Sequence, residues 1–177
     1  MPSNVRVVNL FDGQLYGSAS VSAPSPGFYG VFRAGTGAPT TAGVTATPLP
    51  GFPTASGPSS YGFAAVDRDA TVAGADALYV ADDRSPMAGG GVQRWTLSAG
   101  GTWALGATFN TGLTSGARGV TAWVDGGDVL VAAVTAENPS RVVAFLDRAG
   151  TPPGAATVIA TAPMNTQYRG VALAPTP

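Results

Sequence analysis

The chain has 177 residues, of which 45% are hydrophobic and only 11% charged, with a formal net charge of −1. This is enough apolar material for one core or a short array of repeated units, and a near-neutral charge with no arginine-rich window disfavours a nucleic-acid or anionic-membrane surface. Cysteine and histidine are both absent, which excludes disulfides, thiolate nucleophiles, Cys- or His-based zinc sites and imidazole bases, so any catalysis would run on carboxylates, hydroxyls or arginine.

Glycine (25) and proline (15) are spread through the chain among Val, Leu, Tyr and Trp, which reads as many turns in a folded all-β protein. The N-terminal "MPSNVRVVNL" lacks the pattern of a signal peptide, and no apolar run approaches the roughly 20 residues that span a bilayer.

One apolar phrase organises the chain. It opens as "VRVVNLFD" (Val5 to Asp12) and returns as "YGFAAVDR" (Tyr61 to Arg68), "ARGVTAWV" (Ala117 to Val124) and "YRGVALAP" (Tyr168 to Pro175). The spacing of about 50 to 57 residues is in the range of propeller blades. After each of the first three comes a second strand, "GQLYGSAS", "DALYVADD" or "DVLVAAVT", then a third, "GFYGVFRA", "GGVQRWTL" or "SRVVAFLD", and a fourth, "AGVTATPL", "TWALGATF" or "ATVIATAP". These segments are short, β-branched and aromatic, and bounded by Gly, Pro, Asp and Asn, the strand-and-turn signature.

The expected fold is therefore an all-β partial β-propeller, with about three four-stranded blades plus one extra strand. The units run over about 5–50, 61–110 and 117–162, with a closing strand at 168–174. A β-sandwich has no 50-residue period and a solenoid repeat is shorter. Inner strands crowd round an axis and should be apolar on both faces, with Gly62, Gly119 and Gly170 allowing close backbone approach. On this reading Gly170→Val should hurt folding more than Asp82→Ala. Three blades are fewer than the usual four to eight of a closed ring, so the expected partner is the remaining half of a propeller, from the same gene or from a second copy.

Residues that might carry chemistry gather at strand ends. Asp12, Asp67 and Asp125 close equivalent inner strands, and Arg118 and Arg169 open two of them; these five are the channel-mouth candidates. Carboxylates from different blades meeting at one mouth could hold Ca²⁺ or act as acid and base. Arginines at one mouth could form an anion-binding rim, or pair with neighbouring Asp. Asp82 and Asp83, before a Gly-rich turn, are the metal candidates, with turn-amide bonding by Asp as the simpler alternative. "DRDA" reads most simply as a turn, "WVDGGDVL" as a hairpin, and Trp95, Trp103 and Trp123 as packing.

The stretch "SYGFAAVDRD…ADALYVADDR…GGVQRWTLSAGGTW", Ser60 to Trp103, resembles the blade pattern of NHL and gluconolactonase-like propellers. More broadly, "RVVNLFDGQLY" and "YRGVALAP" make the chain similar to the C-terminal half of a family of mostly secreted bacterial propeller proteins. The resemblance implies fold and an extracellular or cell-envelope location, and it carries no activity. The functional expectation is a non-catalytic binding or scaffolding module with no required cofactor. The alternative is a Ca²⁺-dependent hydrolase of lactonase or phytase type.

Overall fold

In the computed structural model, which describes residues 1–174, the twelve strands form three separate four-stranded antiparallel sheets. The first holds β1 (Val5–Phe11), β2 (Gln14–Val21), β3 (Phe28–Ala34) and β4 (Ala46–Pro48). The second holds β5 (Ser60–Val66), β6 (Ala77–Asp82), β7 (Gly91–Leu97) and β8 (Trp103–Phe109). The third holds β9 (Ala117–Asp125), β10 (Asp128–Thr135), β11 (Arg141–Asp147) and β12 (Thr157–Thr161). Strand order follows chain order in every sheet, so each is a simple meander, and the only helical piece among the described residues is a 3-10 turn at Pro86–Ala88.

Turn chemistry sets the registers. Asp12 and Gly13 occupy the two-residue β1–β2 loop with φ of +49° and +71°, the left-handed pair that matches the twist of a tight hairpin. Phe11 then faces Gln14 across the ladder. The fourth strand of the first sheet is much shorter than expected. Only Ala46–Pro48 pairs with β3, and Gly35 to Thr45 and Leu49 to Val31 continue the contact as single loop hydrogen bonds of 2.9 and 3.1 Å.

The sheets stack face to face in chain order. On the middle sheet, all six residues of β6 are buried. Their alternation sends Tyr79 and the alanines toward the third sheet, where they meet Val92, Phe109, Val129, Val131, Val143 and Phe145. Leu78 and Val80 face the first sheet with Val31, Phe52, Phe63, Trp95 and Trp103. Trp95 stacks on Phe52 at 4.1 Å between centroids, so Trp95 and Trp103 serve packing.

The two sheet-to-sheet joints repeat each other. Trp103 N–H, at the start of β8, donates to the Pro50 carbonyl beyond β4 at 2.8 Å, and Ala156 N–H, just before β12, donates to the Thr111 carbonyl beyond β8 at 2.9 Å. Within the second and third sheets, Asp83 N–H reaches the Ser59 carbonyl and Ala136 N–H reaches the Gly116 carbonyl; each bond ties the exit of a second strand to the entrance of a first.

The first strands form a row. A Cβ placed on Gly62 of β5 would stand 2.9 Å from the Arg118 carbonyl oxygen and 3.2 Å from the Val120 nitrogen of β9, and one on Gly119 would stand 3.3 Å from the Gly170 Cα. The segment read as a closing strand, 168–174, passes beside β9 of the third sheet at Gly119 and carries no strand pairing among the described residues; Tyr168 N–H is held by the Ser140 hydroxyl at 2.8 Å. A Cβ on Gly170 would meet no described atom within 4 Å, which reverses the expected order of its substitution and that of Asp82, a wholly buried residue. β1 also departs from expectation. Val5, Val8 and Leu10 are exposed, because among the described residues no sheet other than the second packs against the first.

Candidate functional site

At the entrances of the first strands, Arg6, Tyr61 and Arg118 come together. The Arg6 guanidinium carbon lies 3.9 Å from the Tyr61 ring centroid and that of Arg118 lies 5.3 Å from it, a cation–π arrangement. Arg118 also pairs with Asp83 at 3.2 Å. Arg6 Nη1 is buried without a hydrogen-bond partner among the described residues. Arg169, at the same position of the closing segment, is exposed and makes no ion pair among the described residues. Two arginines of this row thus lack a carboxylate and one has it.

At the opposite ends of these strands stand Asp12, Asp67 and Asp125, all exposed. Asp12 and Asp67 line one cleft of about 370 Å³ with Leu10, Phe11, Ala65, Gly74 and Ala75. Asp125 is not among its walls; it sits opposite Asp128 across the β9–β10 turn, and Arg148 bonds Asp128 at 3.1 Å. None of the three makes an ion pair among the described residues. Nor do the described residues contain a group of three or more carboxylates placed to hold a metal ion. Asp69 is committed locally, accepting from the Thr71 N–H and hydroxyl at 3.0 and 2.7 Å.

Asp82 and Asp83 have other work. The Asp82 carboxylate takes Arg84 Nε at 3.0 Å and Nη2 at 2.7 Å, the Gln93 amide at 3.0 Å, and the backbone N–H groups of Ser59 and Arg84. Its oxygens are therefore occupied by protein donors, the turn-amide role weighed in the sequence, and Asp83 holds Arg118.

Two buried carboxylate clusters carry no distinctive sequence signal, because their partners are far apart in the chain. Asp147, at the end of β11, accepts from Arg68 at 3.0 Å, Arg94 at 2.6 Å and the Tyr79 hydroxyl at 2.6 Å, joining the second and third sheets. Burial, then the hydrogen bond to Asp147 and its charge, push the Tyr79 hydroxyl well above its ordinary value. Glu137 accepts from Arg141, from Thr114 N–H and hydroxyl, and from Thr135. Burial opposes ionisation of Glu137, yet these donors outweigh it and hold its carboxyl down to about 2.

The chemistry on display is thus divided: the buried acids Asp82, Glu137 and Asp147 are held by arginine side chains and Asp76 by the Arg68 backbone N–H, while the carboxylates at the far strand ends make no ion pair among the described residues and do not converge as a set. Compared with known proteins, the chain matches no protein-family model and no curated sequence.

Proposed function

We propose that the chain is a three-blade arc of a β-propeller, of NHL-like type, acting as an exported, non-catalytic binding or scaffolding module. The observation that carries this reading is the repeated geometry of neighbouring sheets: the same backbone joint links β4 to β8 and β8 to β12, and the first strands approach at Gly62 and Gly119. Four-stranded meander sheets that repeat one relation to their neighbours are what consecutive blades of a radial array would present, and this supports the reading. The proposed partner is the rest of such an array, and its seat is the uncovered apolar surface at each end of the stack. On the first sheet this surface includes Val8 (63% exposed), and on the third Leu146 and Ile159 (63% exposed). Exposed apolar faces of this kind favour association.

Light scattering of the purified chain tests the proposal. A defined dimer supports two arcs completing one ring; a polydisperse sample supports blades supplied by a longer chain. A soluble monomer that stays monodisperse at high concentration would sink it.

The second reading is the Ca²⁺-dependent hydrolase. In its favour, Asp12 and Asp67 are unpaired and share a cleft. Against it, a six- to eight-oxygen cation would need ligands that Asp125, outside that cleft, does not supply. Calorimetric titration with millimolar Ca²⁺ decides: heat that disappears in Asp67→Asn supports this reading, and no heat removes it.

A further inference from the structure

Between the first and second sheets lies a cleft of about 390 Å³, within the range of about 300–1,000 Å³ typical of small-ligand sites. Its floor is apolar, formed by Phe11, Leu78, Leu97 and Trp103. Three polar residues line it: Asp12, Arg33 and Tyr16. Their placement follows from the sheet. Tyr16 is directly opposite Arg33 in the β2–β3 ladder, so both side chains share one face, and Asp12 occupies the β1–β2 turn at the end of the same face. Asp12 Oδ2 points across the opening, 3.5 Å from where a Gly74 side chain would begin.

The charges on these groups are not used by the fold. Arg33 and Asp12 pair neither with each other nor with another charged group among the described residues, whereas Arg68, Arg84, Arg94, Arg118, Arg141 and Arg148 all hold carboxylates. Both nevertheless lie within Coulombic reach of Tyr16. Burial raises the Tyr16 hydroxyl above its ordinary value, with Arg33 pulling down and Asp12 pushing up; it remains a neutral O–H donor at neutral pH.

A positive and a negative group, left apart at the edge of an apolar floor, discriminate among ligands by charge. A simple anion meets Asp12, a simple cation meets Arg33, and a neutral apolar molecule satisfies neither. A ligand bearing both charges and an apolar tail complements all three parts. We infer that this cleft binds a zwitterionic α-amino acid with an apolar side chain, its carboxylate on Arg33, its ammonium on Asp12 and its side chain on the Leu78–Trp103 floor. Arginine suits the carboxylate because its planar fork matches two oxygens. The site lies wholly between two sheets of this chain, so it stands or falls independently of how many blades complete the array.

The test is calorimetry, with Trp103 fluorescence as a second readout, using L-leucine, L-leucinamide (no carboxylate) and N-acetyl-L-leucine (no ammonium). Leucine should bind with Kd of roughly 1 mM or tighter, and each blocked analogue at least about tenfold more weakly. Arg33→Gln should abolish the preference of leucine over its amide, and Asp12→Asn the preference over the N-acetyl form. Both residues are exposed, and Asn keeps the left-handed turn accessible, so both variants should keep the wild-type circular dichroism and thermal midpoint. Equal binding of all three probes, or no saturable signal for leucine at roughly 10 mM, overturns the assignment.

Discussion

Asp147 shows how much a single side chain can hold. It is 2% exposed, yet it receives two guanidinium groups and a phenol from another sheet. Truncation to alanine leaves these donors without an acceptor, and because the arginines retain some contact with water the cost falls at the low end for a buried pair. Asp147→Ala should destabilise by about 3 kcal/mol, read from denaturant unfolding, while Asp128→Ala, which removes an exposed pair with Arg148, should cost about 0.5 kcal/mol or less. Similar costs for the two would contradict the bridging role. Glu137 has a pH signature. Its carboxyl, held down to about 2, lies below the ordinary glutamate value of about 4.3, so its contribution is fully present above that ordinary value and is lost as pH falls toward 2. An acid titration of thermal stability should show this component in the wild type and lose it in Glu137→Gln. In the sequence, neither residue stands out. "YVADD" advertises Asp82 by its repeat position, but nothing near Asp147 or Glu137 announces that Arg94 or Thr114 will arrive from a distant strand.

At the scale of the element, periodicity did most of the work, because a blade-length repeat with turn residues at fixed places leaves few ways to pair strands. Three four-stranded groups were legible for that reason. The length of β4 was not, since "AGVTATPL" has the composition of a strand but only Ala46–Pro48 finds a ladder. The glycine row was legible in part. A Cβ on Gly62 would meet backbone at 2.9 Å, whereas one on Gly170 would meet no described atom within 4 Å, a difference that depends on what packs against each segment and not on the residue's own neighbours. Gly62→Ala should therefore cost about 1–3 kcal/mol through forced separation of β5 and β9, and Gly170→Ala should change stability by no more than about 0.5 kcal/mol. Equal effects in thermal unfolding would argue against close approach at Gly62. The candidate cleft was half legible: Asp12 was found by its strand-end position, but Arg33 and Tyr16 become partners only through the β2–β3 register.

For the whole molecule, the exposed apolar outer faces are where the proposed association would be seated. Leu146 and Ile159 project from the outer face of the third sheet and contribute nothing to the cores between the sheets. Leu146→Asp with Ile159→Asp should leave the circular dichroism unchanged while reducing any association seen by light scattering. If association survives both charges, the contact lies elsewhere.

The burial of β6 on both faces has a kinetic corollary. Its amides can meet solvent only when a neighbouring sheet lifts away, so they should exchange hydrogen through the rarest openings, while the ends of the stack, covered on one side, open by fraying. The order of exchange along the chain is then set by distance from the middle sheet: protection rises toward the centre from either terminus, and the protein comes apart from its two ends inward.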